Sequence, residues 1–92
     1  MSPSFTPESV PHFARGFRFR HDTVRDQWVV LGPERAFVPD EIAIEVLRLV
    51  DGAASLATIT DTLAARYDAP REQIEGDVLI MANDLAVKGV LR

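Results

Sequence analysis

The sequence contains no cysteine. That one absence excludes disulfides, thiolate nucleophiles, cysteine zinc sites and iron–sulfur ligation together. Histidine is almost as scarce. His12 and His21 stand at no metal-ligand spacing, so no metal site is expected. The five glycines, at 16, 32, 52, 76 and 89, are scattered as turn and cap residues apart from Gly76, and no glycine-rich phosphate loop is formed. Nothing approaches the roughly 20 apolar residues of a membrane span. The N-terminus, M-S-P-S-F-T-P-E-S-V-P-H, has neither the basic start nor the apolar run of a signal peptide. These features predict a cytoplasmic chain with no membrane partner.

The roles of an active site cannot be filled either. Ser2, Ser4 and Ser9 fall in a proline-rich N-terminal stretch, and Ser55 is better explained as a helix cap. No nucleophile, base and orienting group can be assigned together, so the chain is expected to have no catalytic activity and no cofactor. Function has to be sought in binding. At 92 residues the chain makes one domain with one core and no room for an internal cofactor cavity.

The net charge of −4 conceals a split. Residues 1–38 carry five arginines against four acids, a net of +1. Residues 39–92 carry five cations against ten acids, a net of −5. The arginines at 15, 18, 20, 25 and 35 admit two readings. They are a solvated sheet face that discourages edge-to-edge pairing, or a basic surface for carboxylates of a partner.

Residues 1–14 hold Pro3, Pro7 and Pro11 together with Phe5, Val10 and Phe13. They read as a partly ordered tail, with an arm docked through its aromatics as the alternative. Residues 15–92 read as a single domain. Gly16–Arg20 alternates, with Phe17 and Phe19 on one face and Arg18 and Arg20 on the other, as a half-buried strand requires. His21–Asp26 is a polar hairpin loop. Gln27–Leu31 is a second strand, apolar on both faces, which suits a central position. Gly32-Pro33-Glu34 is a turn, and Arg35-Ala36-Phe37-Val38 a short third strand stopped by Pro39. The third strand is expected at the edge of a small antiparallel sheet of two or three strands.

The remainder is helical. Asp40 caps a helix predicted over Glu41–Val50, and Asp51-Gly52 ends it. Ser55 caps a second helix carrying Leu56, Ile59, Leu63 and Tyr67. Asp68-Ala69-Pro70 breaks it, and a third helix follows to Lys88, closed by Gly89.

That third helix has more apolar surface than its core face needs. Ile74, Val78, Met81, Ala82 and Leu85 follow the rhythm of one buried face. Ile80 and Val87 point nearly the opposite way and form a second stripe, with Asn83 between them. Gly76 lies inside the helix, where glycine costs about 1 kcal/mol relative to alanine. It serves either the close approach of a backbone or side chain or relief of a clash with a neighbouring helix. The order of strands and helices is that of an α+β, winged helix-turn-helix-like fold, in which the third helix would enter a DNA major groove. Its acids, Glu72, Glu75, Asp77 and Asp84, outnumber Arg71 and Lys88. Phosphate contacts carry much of DNA affinity, so nucleic acid is not expected as a partner. A winged-helix DNA-binding transcriptional regulator is the alternative reading.

An ordered series of short stretches gives the chain a resemblance. It comprises Arg15-Gly16-Phe17-Arg18, then Val29-Val30-Leu31-Gly32-Pro33-Glu34-Arg35, Val46-Leu47-Arg48-Leu49-Val50-Asp51-Gly52, Leu63 with Tyr67, and Asp77-Val78 leading to Leu85 and Gly89. From about Pro11 to the C-terminus the chain resembles the PqqD family of pyrroloquinoline quinone biosynthesis. It departs from the family pattern at Gly32, where an aromatic is expected, and at Val38-Pro39-Asp40. The resemblance implies a peptide chaperone of the kind called a RiPP recognition element. Its partners would be the PqqA precursor peptide and the radical S-adenosylmethionine enzyme PqqE, with no cofactor of its own. By position it implies a peptide site between Arg35, Ala36, Phe37 and Val38 on the third strand and Ile80, Asn83, Asp84 and Val87 on the third helix. An exposed edge strand beside an apolar helix face suits strand addition on physical grounds as well. The same surface would serve a homodimer.

Overall fold

The structure is a computed structural model and describes residues 5–92. Three strands lead into three helices: β1 (Arg18–Asp22), β2 (Gln27–Leu31), β3 (Ala36–Phe37), α1 (Glu41–Leu47), α2 (Leu56–Tyr67) and α3 (Arg71–Val87). The sheet is antiparallel with order β1-β2-β3. This is the winged-helix-like arrangement expected, with β2 central and β3 at an edge.

The register explains why β2 is apolar on both faces. Phe19 pairs with Val30, which pairs with Phe37, and this face looks onto the core. Val30 is wholly buried, and the Trp28 ring stacks on Phe19 at 4.8 Å. On the other face Arg18 lies opposite Leu31 and Arg20 opposite Val29. Their aliphatic stems can lie along those apolar side chains while the guanidinium groups stay in water. β1 begins two residues later than its alternation predicts and runs on through His21 and Asp22, which pair with Trp28 and Gln27. In the hairpin loop, the Asp22 carboxylate accepts from the backbone N–H groups of Val24 and Arg25.

Gly32 is fixed by packing. A Cβ there would lie 2.7 Å from the Phe17 ring, so Phe17 occupies the space an aromatic at position 32 would otherwise fill. The turn closes with the Gly32 N–H donating to the Arg35 carbonyl at 2.8 Å.

Caps place the helices. Asp40 accepts from the Ala43 N–H and Ser55 from the Thr58 N–H. α1 ends at Leu47, three residues short of the predicted end. Leu49 and Val50 donate to the carbonyls of Val46 and Leu47, a tightened i→i+3 pattern. The Asp51 carboxylate takes the Ala53 and Ala54 N–H groups. α2 closes on Asp68 in the left-handed region, φ 51°. After α3, Val90 donates to the Leu85 carbonyl and Gly89 to that of Ala86, a Schellman motif with Gly89 at φ 84°. It turns Val90 and Leu91 back into the core.

The core joins Val30 of the sheet to Val46 and Leu47 of α1, Leu56, Ile59 and Leu63 of α2, and Val78, Ala82 and Leu85 of α3. Truncating one of its large members, for example Leu85→Ala, should cost about 2–5 kcal/mol. The N-terminal segment, expected as a partly ordered tail, follows the body as far as it is described. Pro7 and Ser9 carbonyls accept from the Ala57 and Leu56 N–H groups. These are first-turn donors of α2 that have no intrahelical partner. His12 and Arg92 exchange backbone bonds at 2.9 Å each, and Phe13 bridges to Leu91. Residues 1–4 lie outside the described residues.

Candidate functional site

β3 pairs with β2 on one side. On its other side no strand lies among the described residues. Its ladder is two residues long and ends at Phe37; Pro39, two residues on, is buried and has no N–H to offer. The unpaired edge is that of Ala36 and Phe37, and Arg35 and Val38, expected within the strand, flank it. Ala36 is exposed, Val38 is half-exposed, and Phe37 packs against the core.

Two contacts tie this edge to the end of α3. Arg35 Nη2 donates to the Lys88 carbonyl at 2.9 Å. Lys88 Nζ lies 5.8 Å from the centre of the Phe37 ring and pairs with the Asp84 carboxylate at 3.0 Å. Asp84 and Lys88 thus lie on the flank of α3 that faces β3. The β3–α1 segment then runs antiparallel to α3, because Ile42, at the start of α1, shares a cleft with Ile74, Asp77 and Val78.

Ile80 and Val87 form the outward ridge of α3, 71% and 66% exposed. Uncovered side chains of this size on a helix whose other face fills the core are unpartnered, as their position in the heptad suggested. Asn83 borders the same ridge on the far side from Asp84. Its Oδ1 accepts from the Phe5 N–H at 2.8 Å, so it meets the N-terminal segment instead of β3. Of the eight expected residues, Arg35 and Phe37 are brought beside Asp84 by way of Lys88, and Ala36 and Val38 are exposed beside them. Ile80 and Val87 crest the outer side of α3, and Asn83 is turned to the opposite shoulder.

Gly76 sits on the exposed side of α3, and a methyl group added there would meet no atom within 4 Å. The clash-relief explanation has no helix to act on.

The cations of α3 are paired with carboxylates. Arg71 is held by Asp61 and Glu75 at 2.6 Å each. The hydrogen bonds to Asp61 and Glu75 push its pKa up. Both cations of the helix are thus committed to carboxylates. Among the described residues, no three His, Asp or Glu side chains converge as a metal site requires, and no helix is long and apolar enough to cross a membrane.

One feature of this side of the molecule was not singled out from the sequence. Ile42 and Tyr67, about half exposed, open onto a cleft of about 250 Å³ floored by Leu63, Ile74 and Val78, with Glu41, Glu45 and Asp77 around it. Desolvation first, and then the Glu45 carboxylate, push the Tyr67 hydroxyl above its ordinary pKa. Ile42 and Tyr67 fit the apolar stripes of α1 and α2. Only their position at the ends of those helices leaves them uncovered.

Residues 27–91 match the family model of coenzyme PQQ synthesis protein D, PqqD. A PqqA binding protein of Rhodopseudomonas palustris strain HaA2 is 49% identical over 88 residues, covering 96% of this chain and 86% of that relative. The solution structure of the PqqD part of Methylobacterium extorquens PqqCD, described as a functional, stand-alone RiPP recognition element, superposes with a TM-score of 0.81. It is 44% identical and covers 97% of this chain and 95% of the other. The same fold recurs at 14% identity in a lasso peptide synthetase B1 solved with its leader peptide, with a TM-score of 0.78 over 91% of this chain and 99% of that one. The family match over most of the chain, and the close identity of full-length relatives, place this chain in the PqqD family.

Proposed function

We propose that this chain is a peptide chaperone of pyrroloquinoline quinone biosynthesis, a RiPP recognition element that binds the PqqA precursor peptide and presents it to the radical enzyme PqqE in the cytoplasm. It performs no catalysis itself. The observation that carries the reading is the exposed Ile80–Val87 ridge beside the unpaired edge of β3. An incoming strand would take its main-chain hydrogen bonds from Arg35–Val38 and seat alternate side chains against Ile80, Asp84 and Val87. Asn83, already bonded to Phe5, would border the peptide from the far shoulder. The relatives named as PqqA binding proteins agree with this ligand.

DNA binding finds no support in the charges of α3. Its cations are paired with acids, and counterion release needs free ones. No electrophoretic shift of duplex DNA is expected at moderate salt. A homodimer would use the same edge, so sedimentation with and without peptide should show any dimer giving way to the complex.

The direct test is titration calorimetry of PqqA against Val87→Asp. Val87 is exposed, so the variant should keep its unfolding midpoint. Losing one buried apolar contact and burying a charge should weaken binding about tenfold or more. Unchanged affinity would remove the ridge from the site.

A further inference from the structure

The cleft between α1, α2 and α3 lies against the N-terminal half of α3, whereas the start of β3 meets the C-terminal end of that helix. Arg35 marks one end of the β3–α1 segment, at Lys88, and Ile42 marks the other, beside Ile74 and Val78. A peptide strand laid along β3 and extended in the direction of the β3–α1 segment runs toward this cleft. Its volume of about 250 Å³ exceeds the ~150 Å³ of a dry apolar cavity that holds benzene. Its floor is aliphatic, and its mouth is acidic. Glu45 is already bonded to Arg66 at 2.7 Å. Glu41 and Asp77 are exposed and make no ion pair among the described residues.

We propose that this cleft is an anchor pocket for one bulky apolar side chain of the bound precursor peptide, and that Glu41 and Asp77 at its mouth pair with a lysine or arginine next to that anchor. The proposal rests on the peptide-binding reading given above and names what the site selects. Strand addition alone is nearly blind to sequence, because its bonds are main-chain. A pocket of this size and a free acidic pair supply the discrimination that the edge strand lacks.

The test is a titration matrix. Wild type, Ile42→Trp and the double variant Glu41→Lys/Asp77→Lys are titrated with PqqA and with PqqA peptides in which each bulky apolar residue is replaced in turn by alanine. Ile42 is half exposed, so tryptophan there can fill the cleft without disturbing the core. The charge reversals touch exposed side chains only.

One alanine peptide should bind wild type about tenfold more weakly, yet differ less than about twofold from PqqA on Ile42→Trp, the coupling expected of two groups in contact. The charge-reversed variant should bind PqqA about tenfold more weakly and lose most of the weakening by salt. If both variants bind like wild type while Val87→Asp does not, the pocket is wrong and the β3–α3 groove stands. A loss of affinity without coupling to any peptide residue also contradicts the pocket. If all three variants bind like wild type, the groove reading falls and the pocket falls with it.

Discussion

The guanidinium of Arg35 donates to the carbonyl oxygen of Lys88 at 2.9 Å. Lys88 is the C-cap of α3, where unpaired carbonyls carry the negative end of the helix dipole. One side chain thus ties the residue that leads into the edge strand to the end of α3. Arg35→Ala should lower stability by about 0.5–1.5 kcal/mol in urea titration and should weaken PqqA binding. Arg35→Lys keeps the charge but not the planar fork, and should recover only part of either loss. Full recovery with lysine would make the contact a matter of charge alone.

Gly76 weakens its helix without relieving any contact in the domain. Gly76→Ala should therefore raise stability by roughly 0.5–1 kcal/mol, read as a higher urea midpoint with an unchanged slope. A lower midpoint would mean that the glycine meets a constraint in the folded domain.

The N-terminal segment should behave as part of the domain. Its carbonyls satisfy the Leu56 and Ala57 N–H groups, its Pro11 is buried, and Phe13 pairs with Leu91. Deleting residues 1–13 should cost roughly 3 kcal/mol or more from lost hydrogen bonds and apolar burial. Asn83→Ala, which removes only the acceptor for Phe5, should cost about 0.5–1.5 kcal/mol. Equal stability of the deletion and the full chain would show that the segment contributes nothing to the fold.

Acid should reveal the turn after α1. The Asp51 carboxyl is held below its ordinary value of 3.8 by backbone hydrogen bonds, first from Ala54 and then from Ala53. A lowered folded-state pKa contributes stability above the unfolded-state value. That contribution is lost as pH falls below about 3.8 through the lowered folded-state value. Side-chain NMR should show Asp51 titrating below that value. In Asp51→Ala, the part of the acid dependence belonging to this group should be absent.

Local chemistry made most of the fold legible. The β-branched and aromatic run Gln27–Leu31, bounded by a polar loop and Gly32-Pro33, matches the full span of β2. Asp40 and Ser55 located two helix starts, and Gly89 located the end of α3. The exposure of Ile80 and Val87 followed from heptad spacing, since the core face had already been assigned to other residues. What stayed hidden depends on partners distant along the chain. β1 extends through His21 and Asp22 because β2 offers them partners, which alternation cannot reveal. Leu49 and Val50 continue the apolar pattern of α1 although the backbone has already tightened into a turn. Phe5 and Asn83 meet across the domain, and neither local composition nor periodicity couples them. Ile42 and Tyr67 look like core residues by period, and only the assembled helices show them lining an open cleft.

Joint binding of the precursor peptide by β3 and α3 is open to direct observation in an NMR titration of the ¹⁵N-labelled chain with PqqA. The largest amide shifts should fall at Ala36–Val38 and along Ile80, Asp84 and Val87. Shifts confined to the arginine face of β1, with these amides unmoved, would contradict a groove between β3 and α3.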